Sequence, residues 1–76
     1  MLAHLVERVI GDLALAPTTH VSIEGDGVHC TTTGDPVALG IDVHRIQCAL
    51  AAESIPTALA RDPDAPTVSI IFAGGG

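Results

Sequence analysis

Two cysteines and four histidines are the side chains of this sequence best suited to metal binding or nucleophilic chemistry. His44 and Cys48 are four residues apart, so on a helix they share one face. His29 and Cys30 are adjacent, so on a strand they point to opposite faces and cannot easily bind one ion. A structural zinc site takes four ligands, for example His44, Cys48, Cys30 and one more. Because the chain has neither a CxxC nor an HxxxH pair, we predict no metal site, with cysteines in the core and histidines at the surface.

A cysteine and a histidine can also act together as nucleophile and base. Either Cys30 or Cys48 could pair with His44 or His20 in this way. Nothing in the sequence specifies an oxyanion hole, however, and neither cysteine lies in a nucleophile motif. A chain of 76 residues also offers little room for a substrate cleft. We therefore predict that the protein is not an enzyme and has no catalytic residue.

The sequence also lacks a phosphate-binding motif, and its one closely spaced pair of aspartates has the pattern of a turn. The segment Gly25–Gly27 does not have the spacing of a nucleotide-binding loop, and Asp26 between the glycines would repel a phosphate. Asp62 and Asp64 flank a proline, a pattern typical of a solvated turn. We predict no cofactor.

Composition and charge exclude several classes of protein. The chain is 47% hydrophobic and 16% charged, which is unlike a disordered segment. Its apolar runs are far shorter than the roughly 20 residues of a membrane span, and its first residues lack the basic start of a secretory signal. Three arginines against nine acids, for a net charge of −6, and a single aromatic residue disfavour nucleic-acid binding. We expect a cytoplasmic protein whose external partner, if it has one, is a basic protein surface.

The first predicted element is an amphipathic helix over residues 2 to about 14, ended by Pro17. Six apolar residues recur there at helical spacing, within an arc of about 140°. A hairpin follows, in which Asp26 and Gly27 form the turn, so that Ile23 faces Cys30 and Val21 faces Thr32.

The middle of the chain is harder to assign. Residues 37–43 alternate as a strand would, but also lead into a helix predicted over about 42–54 with Asp42 as its N-cap. That helix has two apolar stripes on nearly opposite sides, one of Val43, Ile46 and Leu50, the other of Cys48, Ala51, Ala52 and Ile55. Residues 56–61 are predicted as a short helix, because Ser54 and Pro56 resemble a helix start.

The predicted fold is α+β, with the order α-β-β-(β)-α-β and the helices on one face of a small sheet. Residues 1–72 form one domain that ends in a strand over residues 67–72, beside the hairpin, and residues 73–76 form a glycine tail.

A core this small and poor in aromatic residues favours oligomerisation. We expect a small acidic interaction module, acting as a homo-oligomer in regulation or assembly. The predicted interface lies on the first helix and at the end of the second: Leu2, Leu5, Val6, Val9, Leu13, Cys48, Ala52 and Ile55.

The alternative function rests on the chain end. Gly75 and Gly76 follow a strand, and the order of hairpin, helix and strand is that of a β-grasp core. These features resemble ubiquitin-like modifiers and bacterial sulfur carriers. The resemblance implies that the carboxylate of Gly76 is adenylated and becomes a thioester or thiocarboxylate. The chain departs from those families in its N-terminal helix, in the short segment 57–66 and in its four-residue tail.

Overall fold

The computed structural model describes residues 2–61 and 67–73. The predicted acidic turn at residues 62–66 and the glycines at 74–76 lie outside them. The described residues form six elements, in chain order α1 (Leu2–Gly11), β1 (Thr19–Ile23), β2 (Gly27–Thr32), α2 (Pro36–Ala52), β3 (Thr57–Arg61) and β4 (Thr67–Phe72).

The four strands form one sheet in the order β1-β2-β4-β3, and each neighbouring pair is antiparallel. The α+β class is confirmed, as is the strand at 67–72, which pairs with β2 of the hairpin. The observed order is α-β-β-α-β-β, so the optional strand before the second helix is absent and a strand follows that helix instead.

Both helices cover the same face of the sheet, and the core lies between the helices and that face. Apolar residues of β2 and β4 that face the helices are fully or nearly buried, and no helix among the described residues covers the other face. The core residues are Val6, Ile10, Val28, Cys30, Leu39, Val43, Ile46, Leu50, Ile55, Val68 and Ile70. No helix of the described part of the chain is long and apolar enough to cross a membrane.

The hairpin turn lies one residue earlier than predicted. Glu24 and Gly27 exchange the closing backbone hydrogen bonds, so Gly25 and Asp26 are the central residues. Ile23 consequently faces Val28, and Val21 faces Cys30, a shift of two residues that leaves each side chain on its predicted face. Gly27 is instead needed within β2, because a Cβ there would collide with the carbonyl oxygen of Ile70.

The start of α2 corrects the prediction for residues 37–43, which are helical. Asp35 is the N-cap: its side chain accepts a hydrogen bond of 3.0 Å from the Ala38 N–H. Pro36 fits the first turn, where its missing N–H costs nothing. Asp42, predicted as the N-cap, lies inside the helix and is only 3% exposed.

The end of α2 explains why residues 56–61 are not a helix. The Ser54 N–H donates to Ala51 O, and the Ile55 N–H donates to Leu50 O. Ser54 has a φ of 62°, the left-handed conformation of a Schellman C-terminal motif. Ser54 therefore follows a helix rather than starting one, and β3 forms because β4 supplies a hydrogen-bonding edge. The first helix is likewise shorter than predicted and ends at Gly11.

Candidate docking surface

The outer side of α2 carries an exposed apolar stripe. Val37 is 72% exposed and Ile41 is 57% exposed, and Cys48 also faces solvent. At about 100° per residue these three side chains fall within about 40° of one another around the helix. Ala51 and Ala52 extend the exposed stripe to the end of the helix. The stripe therefore runs the full length of α2 and is called here the outer stripe.

The opposite side of α2 is packed against the sheet. Leu39, Val43, Ile46 and Leu50 are each no more than 5% exposed. Two apolar stripes on opposite sides of this helix were predicted. The first is covered; of the second, Cys48, Ala51 and Ala52 are exposed, whereas Ile55 lies beyond the helix and is buried in the core. A helix that is apolar on both sides is typical of burial on both sides.

Charge is nearly absent from the outer stripe. The single acidic residue within α2 is Asp42, which is buried on the other side. His44 is the one ionisable side chain next to Cys48 on the stripe. A chain of net charge −6 thus presents a helix surface free of carboxylates.

A shallow open groove of about 410 Å³ adjoins the stripe, between α2 and the start of β3. Cys48 Sγ lies 3.5 Å from His44 Nε2, so the two side chains touch as the four-residue spacing predicts. Gln47 Nε2 donates a hydrogen bond of 3.2 Å to Thr57 Oγ1 and ties the helix to β3. The groove is lined by His44, Gln47, Cys48, Ala51, Pro56 and Thr57.

Asp42 fixes α2 against the connection between α1 and β1. Its Oδ2 accepts a hydrogen bond of 2.9 Å from the Ala16 N–H and one of 2.6 Å from the Thr19 hydroxyl. Its Oδ1 lies 3.5 Å from Arg45 Nη1, which also donates to the Ala14 carbonyl at 2.7 Å. A buried carboxylate with these partners is satisfied, and it holds the helix in one orientation.

The two cysteines lie on opposite sides of α2. Cys30 is fully buried, as predicted, whereas Cys48, also predicted in the core, is exposed. Burial, with a smaller contribution from the Asp42 carboxylate, raises the pKa of the Cys30 thiol from 9.0 to about 11. The zinc set of Cys30, His44 and Cys48 is therefore not brought together, and the described residues contain no cluster of three metal ligands.

Three side chains on the uncovered face of the sheet are linked by polar contacts that the sequence did not predict. Ser69 Oγ lies 2.8 Å from His29 Nδ1, and Asp26 Oδ1 lies 3.3 Å from His29 Nε2. The contact depends on the pairing of His29 with Ser69 across β2 and β4, which no local pattern reveals. None of the three residues lines the groove, and we interpret the contacts as tying the hairpin turn to the sheet.

The structure places the predicted interface residues in different environments. Val6 and Ile55 are buried in the chain's own core, so their side chains are already covered. Leu5, Val9 and Leu13 are partly buried and pack against that core. Cys48 and Ala52 are exposed, and their part in an interface stays a prediction. The side chain of Leu2 and the carrier residues Gly75 and Gly76 lie outside the described residues.

Val37 and Ile41 are surface residues that the sequence did not predict, because the alternation of residues 37–43 favours an extended segment. The available signal was the pair before them: Asp35 is an N-cap, and Pro36 follows it at the first helical position. Comparison of the chain with protein-family models, with curated proteins and with solved structures gives no significant match.

Proposed function

We propose that this chain is a small, non-enzymatic interaction module that self-associates through the outer stripe of α2. The observation that carries the proposal is the exposure of Val37 and Ile41 on a helix whose other side is already buried. Exposed apolar side chains that are aligned along one element mark interaction sites more often than apolar side chains that are exposed singly.

The proposed occupant of the stripe is a second copy of the chain. A basic partner would be attracted to carboxylates, and α2 offers none on its outer side. Two acidic copies repel each other over most of their surface, but they can meet at this stripe without placing carboxylates against each other. A two-fold dimer uses the same patch on both copies, so one self-complementary stripe is sufficient.

The test is the association constant of the full chain measured by analytical ultracentrifugation in the presence of a chelator. We expect a monomer–dimer equilibrium, weakened about 100-fold by Ile41→Ser, because each of two symmetric copies loses about 1.5 kcal/mol of apolar burial. The matched control is Leu59→Ser, since Leu59 is 43% exposed but belongs to β3. A wild-type chain that stays monomeric at high micromolar concentration contradicts the proposal.

Deleting Gly75 and Gly76 separates this proposal from a carrier role. Neither glycine belongs to α2, so we expect the truncated chain to dimerise like the full one. Loss of function in the cell with dimerisation unchanged would instead favour activation at Gly76.

A further inference from the structure

We propose that the dimer binds one zinc ion between its two α2 helices, with His44 and Cys48 of each copy as ligands. This inference rests on the proposed function, because the site is complete only when two copies meet. Imidazole nitrogen and thiolate sulfur are ligands that zinc prefers, and two of each make a common structural site.

The spacing of the two side chains matches half of such a site. Zinc bonds of about 2.3 Å to sulfur and about 2.05 Å to nitrogen, at a tetrahedral angle, place the two ligand atoms about 3.6 Å apart. Cys48 Sγ and His44 Nε2 are 3.5 Å apart without any ion. The helix therefore holds both ligand atoms at the separation that one zinc ion requires.

The described part of one chain cannot complete the site. No third histidine, cysteine or carboxylate joins the pair among residues 2–61 and 67–73. Cys30 is buried under the opposite side of α2, and His20 and His29 belong to the uncovered face of the sheet. His44 and Cys48 are thus accessible to a partner that covers the outer stripe.

A second copy supplies the missing ligands by symmetry. With a two-fold axis passing between His44 and Cys48 of antiparallel α2 helices, each copy contributes one pair to an ion on the axis. The same axis places Ile41 of one copy opposite Ala51 of the other, a large residue against a small one. Metal binding and apolar packing are therefore compatible in a single arrangement.

The charge balance also favours zinc. Each Cys48 thiol releases its proton to solvent as its sulfur binds, while the imidazoles bind in the neutral form. Two thiolates and one Zn²⁺ leave the site without net charge. No carboxylate is introduced into the interface, and no oxidant or reductant is needed.

The experiment is a zinc titration of the full chain, followed by sedimentation equilibrium and native mass spectrometry. We expect one zinc per two chains. Dimerisation should tighten by roughly 100-fold when free zinc exceeds the dimer's dissociation constant for zinc 100-fold. Substituting Co²⁺ should give the ligand-field absorption of a tetrahedral site with sulfur ligands.

The variants Cys48→Ser and His44→Gln should each abolish the response to zinc and the Co²⁺ spectrum. The matched control is His20→Gln, because His20 is exposed on β1, away from α2. Circular dichroism of each variant confirms that it is folded.

The outcomes separate the two proposals. Dimers with the same association constant in chelator and in zinc overturn the metal site and support self-association through the stripe. A dimer that forms in chelator and is tightened by zinc, with Cys48→Ser abolishing only the tightening, supports the site. Binding of one zinc per chain without dimerisation, or no zinc binding at all, overturns it.

Discussion

The described residues form two units with the same order of elements, and the two units differ in the outer sides of their helices. The first unit is α1-β1-β2 and the second is α2-β3-β4. The units join through their second strands, β2 and β4, which pair antiparallel at the centre of the sheet. No sequence repeat accompanies this repeated topology, so the residues at matching positions are free to differ.

The outer sides of the two helices differ most. In α1 the exposed residues include His4, Glu7 and Arg8, as on an ordinary solvated helix. In α2 the matching side carries Val37 and Ile41. Since both helices pack on the same sheet, the core does not require this difference. The proposed self-association through the outer stripe would account for it.

The largest expected effect comes from the inner side of α2. Ile46→Ala removes a fully buried side chain and should lower the free energy of unfolding by about 2–5 kcal/mol. Ile41→Ala, on the outer side of the same helix, should change monomer stability by less than about 0.5 kcal/mol. Urea denaturation below the dimerisation concentration measures both. Equal losses would show that the two sides do not differ in the way described.

The next effect concerns the connection between α1 and β1, which is longer than its counterpart after α2. Asp42→Ala leaves the Ala16 N–H and the Thr19 hydroxyl without their acceptor and should cost about 1–3 kcal/mol. Amide hydrogen exchange at Ala16 should accelerate as well. Exchange unchanged from the wild type would show that the connection is held by other contacts. Asp35→Ala is the control, because it removes an exposed N-cap without touching that connection.

The burial of Cys30, in contrast to the exposure of Cys48, predicts that the stability of the fold depends on pH. The Cys30 pKa is about 11 in the folded chain against 9.0 as the ordinary value, so between these pH values the unfolded chain binds fewer protons. The contribution of Cys30 to stability is therefore complete below pH 9.0 and falls as pH rises toward about 11. Denaturation midpoints should decline over this range, and less so in Cys30→Ala.

Thiol labelling tests the burial of Cys30 and the exposure of Cys48 directly. A thiol reagent at pH below the Cys30 pKa should modify Cys48 alone in the native protein and both thiols after denaturation. Rapid native labelling of both would contradict the burial of Cys30.

The smallest effect concerns the end of α2. Ser54 adopts a φ of 62°, which glycine tolerates at no steric cost. Ser54→Gly should stabilise the fold by up to about 1 kcal/mol, after the greater entropy that glycine loses on folding is subtracted. Thermal denaturation measures the change. A lower melting temperature would show that the serine side chain contributes more than the backbone strain costs.

Much of the fold could be predicted because its patterns are local. The periodicity of α1 and the alternation in β1 each report one buried face. The strand β3 was missed because Ser54 and Pro56 resemble a helix start, and the pairing with β4 that makes residues 57–61 a strand leaves no local pattern.

The start of α2 was missed for a reason tied to the proposed function. Leu39 and Val43 face the core, whereas Val37 and Ile41 face outward. Apolar residues on both sides of a helix produce the every-second-residue pattern of a strand. The outer stripe itself therefore produced the strand-like pattern at residues 37–43.

The central pairing of β2 with β4 also has a kinetic consequence. It joins residues separated by about half of the chain, whereas the hairpin of β1 and β2 closes over two residues. Bringing distant strands together costs loop-closure entropy before any contact compensates for it. We expect each unit to acquire local structure early, and the joining of the two units to set the folding rate.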